Sequence, residues 1–291
     1  MVEKQQRLAA VSRILNFSCV DGPGNRMVIF LQGCNFNCLN CHNPHTINHC
    51  NGCGDCVDSC PSGALSRQGE KVVWSSSLCT NCDKCIDICS YKSSPKIAYY
   101  SVTDLLEIIR KQRFFLSGIT ISGGEATLQL PFIVQLFEAI KRDPELNELT
   151  CFIDSNGYLP ESGWQKIEHV LDGVMIDLKS WQKETHQWLV GRDNHRVIQS
   201  IHYLAERGKL HELRLLHIPT KSDLDVEVTE IIRLICTLPS SVNIRLNAFQ
   251  HHGVIGDALE WEKCSEQEMK RFYELIAPHI SQNIALPTVY T

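Results

Sequence analysis

The sequence has no long apolar run and no sustained run of lysine or arginine. No stretch of about 18 uncharged apolar residues occurs, so a membrane-spanning helix is not predicted. The first 17 residues contain no apolar core of signal-peptide length, so we expect the protein in the cytoplasm. The 28 Lys and Arg against 33 Asp and Glu give a net charge of −5, without the basic patch that nucleic acid or anionic lipid requires. Neither nucleic acid nor a membrane is an expected partner.

Cysteine is scarce over most of the chain and dense in one part of it. Eleven of the 15 cysteines lie within residues 34–89. Cytosolic thiols are kept reduced, so this clustering indicates a metal or redox cofactor and not a disulfide framework. The four isolated cysteines have no ligand spacing, and we expect them to pack in the core. They are Cys19, Cys151, Cys236 and Cys264.

One cysteine spacing occurs twice. CNGCGDCVDSC and CTNCDKCIDIC both follow C-x2-C-x2-C-x3-C. In bacterial ferredoxins this run holds two 4Fe-4S clusters, with three close cysteines on one cluster and the fourth on the other. The predicted ligands are Cys50, Cys53, Cys56 and Cys89 for the first cluster, and Cys79, Cys82, Cys85 and Cys60 for the second. Structural zinc is the alternative for such a cysteine content.

A third cysteine group offers only three thiolates. Cys34, Cys38 and Cys41 have the spacing C-x3-C-x2-C. Three ligands on a 4Fe-4S cluster leave one iron open, and catalytic metal sites keep such a vacant position. The sequence therefore predicts a cluster that binds a substrate or cofactor.

Outside the cysteine-rich segment, apolar strand patterns alternate with helical ones. Six runs predict strands, at residues 27–32, 119–122, 150–154, 173–177, 212–217 and 243–248. Alternating strands and helices are typical of a parallel sheet, and right-handed crossovers predict a partial (β/α)6 barrel. The predicted fold class is α/β, with the barrel in residues 1–46 and 92–291 and an inserted two-cluster ferredoxin domain in residues 47–91.

Unusual polar residues follow or end these strands, where barrel enzymes carry their chemistry. We expect one ligand spanning the barrel mouth to touch them all. The alternative is turn and cap chemistry, since Gly, Asp and Asn favour loops for local reasons. The groups are the Cys34 triad, Gly123-Gly124-Glu125, Asp154-Ser155-Asn156-Gly157, Asp177 with Lys179, Arg214, and Gln250-His251-His252-Gly253.

These residues resemble the radical S-adenosylmethionine (SAM) superfamily, and more closely the activases of glycyl radical enzymes. The segments DGPG with Arg26, QGC ending at Cys34, and CHNP starting at Cys41 carry the resemblance. A ferredoxin insert directly after the triad, together with SGGEATLQLPF and RLNAF, is most similar to the YjjW-type activases. The resemblance covers the chain essentially end to end.

The resemblance implies three 4Fe-4S clusters and SAM as cofactors. The open iron of the Cys34, Cys38 and Cys41 cluster would bind SAM, and one electron would cleave it to methionine and a 5′-deoxyadenosyl radical. That radical would abstract a hydrogen atom from the Cα of a glycine in a partner glycyl radical enzyme. A flavodoxin or ferredoxin would supply the electron.

The resemblance also implies contacts for the amino acid part of SAM. Gly123, Gly124 and Glu125 would bind the methionyl amino group, with the glycines allowing close backbone approach and Glu125 accepting a hydrogen bond. Lys179 and Arg214 would face the carboxylate of SAM.

The ribose and a cation would be bound at the ends of two further strands, by the same resemblance. Asn156 and the Asp154-Ser155 loop would lie near the ribose. A monovalent cation would lie beside SAM among Asp154, Ser155, the Met175 carbonyl and Asp177, because hard oxygen donors suit such a cation.

The adenine and the protein substrate complete the implied site. Gln250 stands where the activases have a histidine, so His251 or His252 would contact the adenine instead. Asp21 would face the glycine-bearing peptide of the partner.

Two other functions stay open at this point. One is a radical SAM enzyme that acts on a small molecule or peptide, and the other is an electron-transfer protein of the ferredoxin type. Within the activase interpretation, the insert would either relay electrons to the SAM cluster or recognise the partner enzyme.

Overall fold

The structure is a computed structural model that describes residues 7–287. The described residues form two compact units, the first of residues 7–35 and 43–149 and the second of residues 36–42 and 150–287. None of the helices in this described range is long and apolar enough to cross a membrane.

The first unit contains a mixed four-stranded sheet and a separate hairpin. Its strands are β1 (Ala9–Ser18), β2 (Arg26–Leu31), β3 (Leu65–Gln68), β4 (Lys71–Trp74), β5 (Ala98–Tyr100) and β6 (Gly118–Gly123), and its helices are α1 (Lys84–Asp87), α2 (Val102–Gln112) and α3 (Leu130–Arg142). Its sheet has the order β5, β1, β2, β6, in which β1 runs antiparallel to β5 and β2, while β2 and β6 are parallel. Short 3-10 helices lie at Pro44–Thr46, Arg113–Phe115 and Ala126–Gln129.

Local sequence explains these elements. β2 is almost entirely apolar and buried, as expected for a strand covered on both faces. Ser101 and Asp104 form a reciprocal capping box at the start of α2, and Pro131 lies in the first turn of α3, where its missing N–H is not needed.

The cysteine-rich segment has little apolar core of its own. Its hairpin of β3 and β4 pairs Leu65 with Trp74. Its hydrophobic cluster consists of the buried Cys56, Leu65 and Cys85, and the partly buried side chains packed against them are Val57, Cys60, Val72, Trp74 and Ile86. Three predicted cluster ligands therefore belong to the core of this segment.

The second unit contains a five-stranded parallel sheet. The strands are β7 (Thr150–Ser155), β8 (Gly173–Leu178), β9 (Leu210–His217), β10 (Asn243–Ala248) and β11 (Ile284–Ala285); the helices are α4 (Glu161–Trp164), α5 (Lys183–Val190), α6 (His195–Glu206), α7 (Val228–Cys236) and α8 (Glu266–Ile276). The strand order in the sheet is β7, β8, β9, β10, β11. Ser265 and Glu268 form a capping box on α8, and Gly208, with φ +64°, lies just after α6. Short 3-10 helices lie at Gly256–Glu260 and Ala277–His279.

All six predicted strands are confirmed, as β2, β6, β7, β8, β9 and β10. The parallel pairing is confirmed for β2 with β6 and for β7 through β10. The strands β1, β3, β4, β5 and β11 were not predicted. The closure into a (β/α)6 barrel and the domain boundaries stay predictions.

The expectation for the isolated cysteines is half right. Cys151 and Cys264 are buried, as predicted, whereas Cys19 and Cys236 are exposed. Cys19 lies in the loop between β1 and β2, and Cys236 is the last residue of α7. Neither position faces a core, so their prediction was wrong.

Candidate active site and cysteine-lined cavities

A fully buried arginine holds the loop before β2. Arg26 donates from Nε to Thr120 Oγ1 over 2.7 Å and from Nη2 to the Ile119 carbonyl over 2.6 Å. Thr120 Oγ1 donates in turn to the carbonyl of Asp21 over 2.6 Å. The Asp21 carboxylate accepts a hydrogen bond from Ser18 Oγ. Arg26 and Thr120 thus fix the backbone that carries Asp21.

The two glycines after β6 are required by close backbone packing. Gly123 has φ +132°, and a Cβ there would lie 2.2 Å from the Leu31 carbonyl oxygen. A Cβ on Gly124 would lie 2.4 Å from the Gly33 carbonyl oxygen, and the same oxygen accepts from the Glu125 N–H over 2.8 Å. The segment that the sequence assigned to SAM therefore lies against the backbone that leads to the first cysteine of the triad.

Glu125 is buried and caps the short helix that follows it. Its Oε1 accepts from the Thr127 N–H over 3.0 Å and from the Thr127 hydroxyl. The cap chemistry that the sequence analysis held as the alternative is present at this residue. A role of Glu125 towards the SAM amino group stays a prediction.

The backbone around Cys34 is held by the segment that follows the triad. The Cys34 N–H donates to the Ile47 carbonyl over 2.9 Å. The buried Gln32 side chain donates from Nε2 to the carbonyls of His45, over 2.8 Å, and Asn48, over 2.6 Å. These bonds explain the glutamine of the QGC segment, because its side chain ties the residues before the cysteine group to those after it.

The other two triad cysteines lie in the second unit. The N–H groups of Asn37 and Leu39, on either side of Cys38, donate to the last carbonyls of α5 over 3.0 and 2.9 Å. Burial raises the pKa of the Cys38 thiol to about 12, although Lys179 acts in the opposite direction. Metal ligands must be thiolates, so Cys38 needs a strong positive partner such as cluster iron to ionise.

An ion pair ends β8 beside these cysteines. Lys179 Nζ lies 2.9 Å from Asp177 Oδ2. Burial works to lower the pKa of Lys179, but Asp177 and then the Cys38 thiol outweigh it and raise that pKa. Burial works to raise the pKa of Asp177, but Lys179 and Arg214 outweigh it and lower that pKa. Both groups are therefore charged at neutral pH.

Arg214, in β9, donates hydrogen bonds to three side chains. It donates from Nη1 to Asp154 Oδ1 over 3.0 Å, from Nε to Glu212 Oε1 over 2.7 Å, and from Nη2 to Met175 Sδ over 3.1 Å. The predicted cation ligand Asp154 thus already pairs with a side-chain cation. Glu212 was not predicted as a partner of Arg214, although the i, i+2 spacing of the two residues places both side chains on one face of the strand.

The loop after β7 is shaped by turn hydrogen bonds. Ser155 and Asn156 are buried. Ser155 Oγ accepts from the Gly157 N–H, and Asn156 Oδ1 accepts from the Tyr158 N–H, each over 3.0 Å. The structure thus shows the local turn chemistry that was the alternative here, and it leaves the ribose role a prediction.

The histidines after β10 differ in exposure. His251 is half-buried, its Nε2 lies 2.7 Å from the Trp261 carbonyl oxygen, and its ring packs edge-on against Phe249. His252 is exposed. Gln250 donates from Nε2 to the Cys264 carbonyl over 2.9 Å, so it fixes the loop.

Two cavities collect the eight cysteines of the insert. The larger, cavity A, has a volume of about 250 Å³. The smaller is cavity B. Cavity A is lined by Cys50, Cys53, Cys56 and Cys89, cavity B is lined by Cys60, Cys79 and Cys82, and Cys85 lines both.

The cavities divide the eight thiols into the crossed sets that the ferredoxin spacing predicts, apart from the shared Cys85. Thiolate-only donor sets suit iron-sulfur clusters, so the residues present fit two such groups. Within residues 7–287, no three His, Cys, Asp or Glu side chains converge as a single metal ion would require.

Comparisons with known proteins agree on one family. A family model described as the radical SAM superfamily matches residues 28–234. The pyruvate formate-lyase 1-activating enzyme of Escherichia coli is 31% identical over 227 residues, covering 75% of this chain and 72% of that protein. The isethionate sulfite-lyase activating enzyme of Desulfovibrio desulfuricans is 28% identical, covering 86% and 85%. The crystal structure of QueE from Escherichia coli matches the fold with a TM-score of 0.53 at 14% identity, covering 97% of this chain and 95% of that one.

Proposed function

This chain belongs to the radical SAM superfamily and, within it, to the activating enzymes of glycyl radical enzymes, and we propose that it does its work with three 4Fe-4S clusters and SAM. It is a radical SAM activating enzyme whose substrate is a partner glycyl radical enzyme. The observation that carries this function is the identity to activating enzymes over three-quarters of the chain.

In the proposed site, Cys34, Cys38 and Cys41 hold the SAM-binding cluster. When bound and reduced, such a cluster would supply the one electron needed to cleave SAM, and the carbon radical formed would be able to take a hydrogen atom from glycine. The protein's own part is to position the reacting groups and to exclude water. The buried Gln32 side chain and the α5 carbonyls hold the cysteine-bearing backbone in place.

Fixed charges are the second contribution of the protein. Lys179 and Arg214 would face the SAM carboxylate, and both remain cationic because neighbouring carboxylates hold their pKa values high. Their Asp177 and Asp154 partners already pre-orient them, so little reorganisation is needed when an anionic group arrives. The positions proposed for a monovalent cation are Asp154, Ser155, the Met175 carbonyl and Asp177.

The remaining proposed contacts follow from the same family. Glu125, after the closely packed Gly123 and Gly124, would accept from the SAM amino group. Asn156 would contact the ribose, and His251 the adenine. Asp21, on the backbone that Arg26 and Thr120 hold, would face the glycine-bearing peptide.

The insert would carry the other two clusters, as in a YjjW-type activase. The sorting of its cysteines between cavities A and B supports this assignment. In cavity A, a zinc ion would instead draw four sulfur atoms to about 2.3 Å from a single point, which suits its volume of about 250 Å³ poorly. Reduced flavodoxin or ferredoxin in the cytoplasm is the proposed electron donor.

The direct test is EPR on an anaerobic mixture of the reconstituted protein, reductant, SAM and a candidate glycyl radical enzyme from the same cell. We expect a doublet that disappears when the radical-bearing glycine of the partner is replaced by alanine. A silent spectrum in spite of 5′-deoxyadenosine formation, with every glycyl radical enzyme of that cell, would contradict the function and favour a small-molecule or peptide substrate.

The role of the insert needs its own test. Cys53→Ala combined with Cys82→Ala removes one proposed ligand from each cavity. If the insert relays electrons, SAM cleavage should persist with dithionite and fail with reduced flavodoxin. Full activity with both reductants would exclude the relay and leave partner recognition.

A further inference from the structure

Cavities A and B differ in the charge that lines them. Of the described residues around cavity A, Asp55 is the only Asp, Glu, Lys or Arg, whereas cavity B is lined by Lys84 and Lys96. Asp55 and Lys84 are exposed, so solvent screens their charges. Lys96 has only 13% of its side chain exposed. The charge of Lys96 is therefore the one that a group in cavity B experiences most strongly.

Lys96 is held in place by an ion pair on its outer side. Its ammonium pairs with the Asp83 carboxylate, which is 58% exposed and does not line cavity B. Its backbone N–H donates to Ser94 Oγ over 3.1 Å. Water therefore screens the negative partner more than the positive one, and a net positive charge is left beside the cavity.

Cavity B also contains a hydrogen-bond donor without an oxygen or nitrogen acceptor. The indole Nε1 of Trp74 is buried, and no such acceptor within residues 7–287 takes its hydrogen. Trp74 and Cys79 both line cavity B, so this N–H lies at the wall of the cavity together with a proposed cluster ligand. A buried donor beside a cluster stabilises added negative charge on its sulfur atoms.

Lys96 keeps its charge beside the cavity B cysteines. Burial alone would lower the pKa of Lys96, but Asp83 and then the Cys85 and Cys79 thiols outweigh it. Lys96 is thus protonated at neutral pH and close enough to the cavity B cysteines to interact with them.

We propose that Lys96, assisted by the Trp74 N–H, makes a cluster in cavity B easier to reduce than a cluster in cavity A. The inference rests on the proposed ligation of both cavities by 4Fe-4S clusters. Reduction adds one electron from an external donor such as dithionite to an oxidised cluster, without a proton, so the cluster becomes more negative. A buried cation and an N–H donor stabilise that state. The first electron that enters the insert therefore rests on the cavity B cluster.

The test is a potentiometric titration of the full-length protein, followed by EPR. Cys38→Ala with Cys41→Ala removes the triad signal and leaves the two insert clusters. We expect two separate one-electron waves. Adding Cys82→Ala should remove the wave at higher potential, and adding Cys53→Ala the wave at lower potential.

Three variants that each remove one charge then test the proposed role of Lys96 by the direction in which the reduction potential shifts. At a fixed potential, Lys96→Gln should lower the ratio of reduced to oxidised cluster in the higher wave about tenfold. For one electron this corresponds to a fall in reduction potential of about 59 mV. Asp83→Asn should move the same wave in the opposite direction, and asparagine suits the positive φ of this residue. Lys84→Gln, the exposed control in the same cavity, should change the ratio by less than about twofold. None of the three should move the lower wave.

Iron content separates the possible failures. With about eight iron atoms per chain in the triad-free protein, unchanged waves in Lys96→Gln, or shifts of the same sign in Lys96→Gln and Asp83→Asn, would overturn the inference. With about four iron atoms or fewer, the proposed cluster ligation itself is wrong and the inference is overturned with it.

Discussion

The strand-and-helix frame and the cysteine-rich insert are stabilised in different ways. The frame buries continuous apolar strands, with Ile119, Ile153, Val174 and Leu213 fully covered. The insert buries little besides Cys56, Leu65 and Cys85, two of which are proposed cluster ligands. Apolar burial can stabilise the first region without a cofactor, whereas the second has too small a core to fold alone. The frame is therefore a preformed scaffold, and the insert is a fold that the proposed clusters would complete.

The largest expected effect separates the proposed SAM-cluster cysteines from an ordinary buried cysteine. Cys38→Ala should reduce SAM cleavage to the background of protein-free controls, because the proposed open-iron cluster would lose a ligand. Cys264→Ala is the control, since Cys264 is also a buried thiol whose pKa burial raises to about 12. This variant should keep most of the activity. The measurement is the amount of 5′-deoxyadenosine that each variant forms, determined by chromatography. Equal activity of the two variants would refute the triad assignment.

Removal of iron should affect the two regions differently. After anaerobic chelation, we expect backbone amides in residues 47–91 to lose hydrogen-exchange protection, because two of the three buried residues of their core cluster are proposed cluster ligands. Amides of β8 and β9 should keep their protection. Hydrogen exchange followed by mass spectrometry gives both results in one experiment. An insert that stays protected without iron would show that its small apolar core is sufficient.

A glycine in each region sharpens the comparison. Gly124→Ala should lower the free energy of unfolding by about 2 to 4 kcal/mol, because the new Cβ would lie 2.4 Å from a backbone oxygen. Gly63→Ala, in the insert, has φ +64° and open space around the new Cβ, so only about 1 kcal/mol of backbone strain is expected. Urea unfolding monitored by tryptophan fluorescence compares the two variants. A larger loss for Gly63→Ala would contradict the packing seen after β6.

The smallest effect compares the two units of the frame. Ser101→Ala and Ser265→Ala each remove the N-cap of a capping box, so each should cost about 1 kcal/mol of unfolding free energy. The matched changes Ser101→Thr and Ser265→Thr keep the hydroxyl and should cost less. Urea unfolding measures all four, and a loss well above 2 kcal/mol would mean that a serine does more than cap its helix.

The sequence predicts each region through a different signal. Continuous apolar runs located β2 and β6 to β10, because a strand covered on both faces needs little besides apolar side chains. The spacing of eight cysteines grouped the insert ligands as the two cavities do, apart from the shared Cys85. Both signals are local in the sequence. β1 pairs with both β2 and β5, but its SRILNF stretch is only half-buried, so it gives neither signal and was missed.

Pairing between distant side chains could not be predicted. The Arg214–Asp154 and Lys96–Asp83 ion pairs join residues on different elements, and nothing in their spacing identifies the partner. The sequence predicted that Gly123 and Gly124 allow SAM to approach the backbone closely. In the structure, the backbone of Leu31 and Gly33 lies close to these two glycines. A sequence gives the type of residue at a site, whereas its neighbours follow from the fold.

The most direct test of this account is the metal content of the anaerobically reconstituted protein, combined with Mössbauer spectroscopy. The account predicts about twelve iron atoms per chain, all in 4Fe-4S clusters, and about eight after Cys38→Ala with Cys41→Ala. About four iron atoms in the unmodified protein, with zinc in the insert, would contradict the claim that clusters complete the second region.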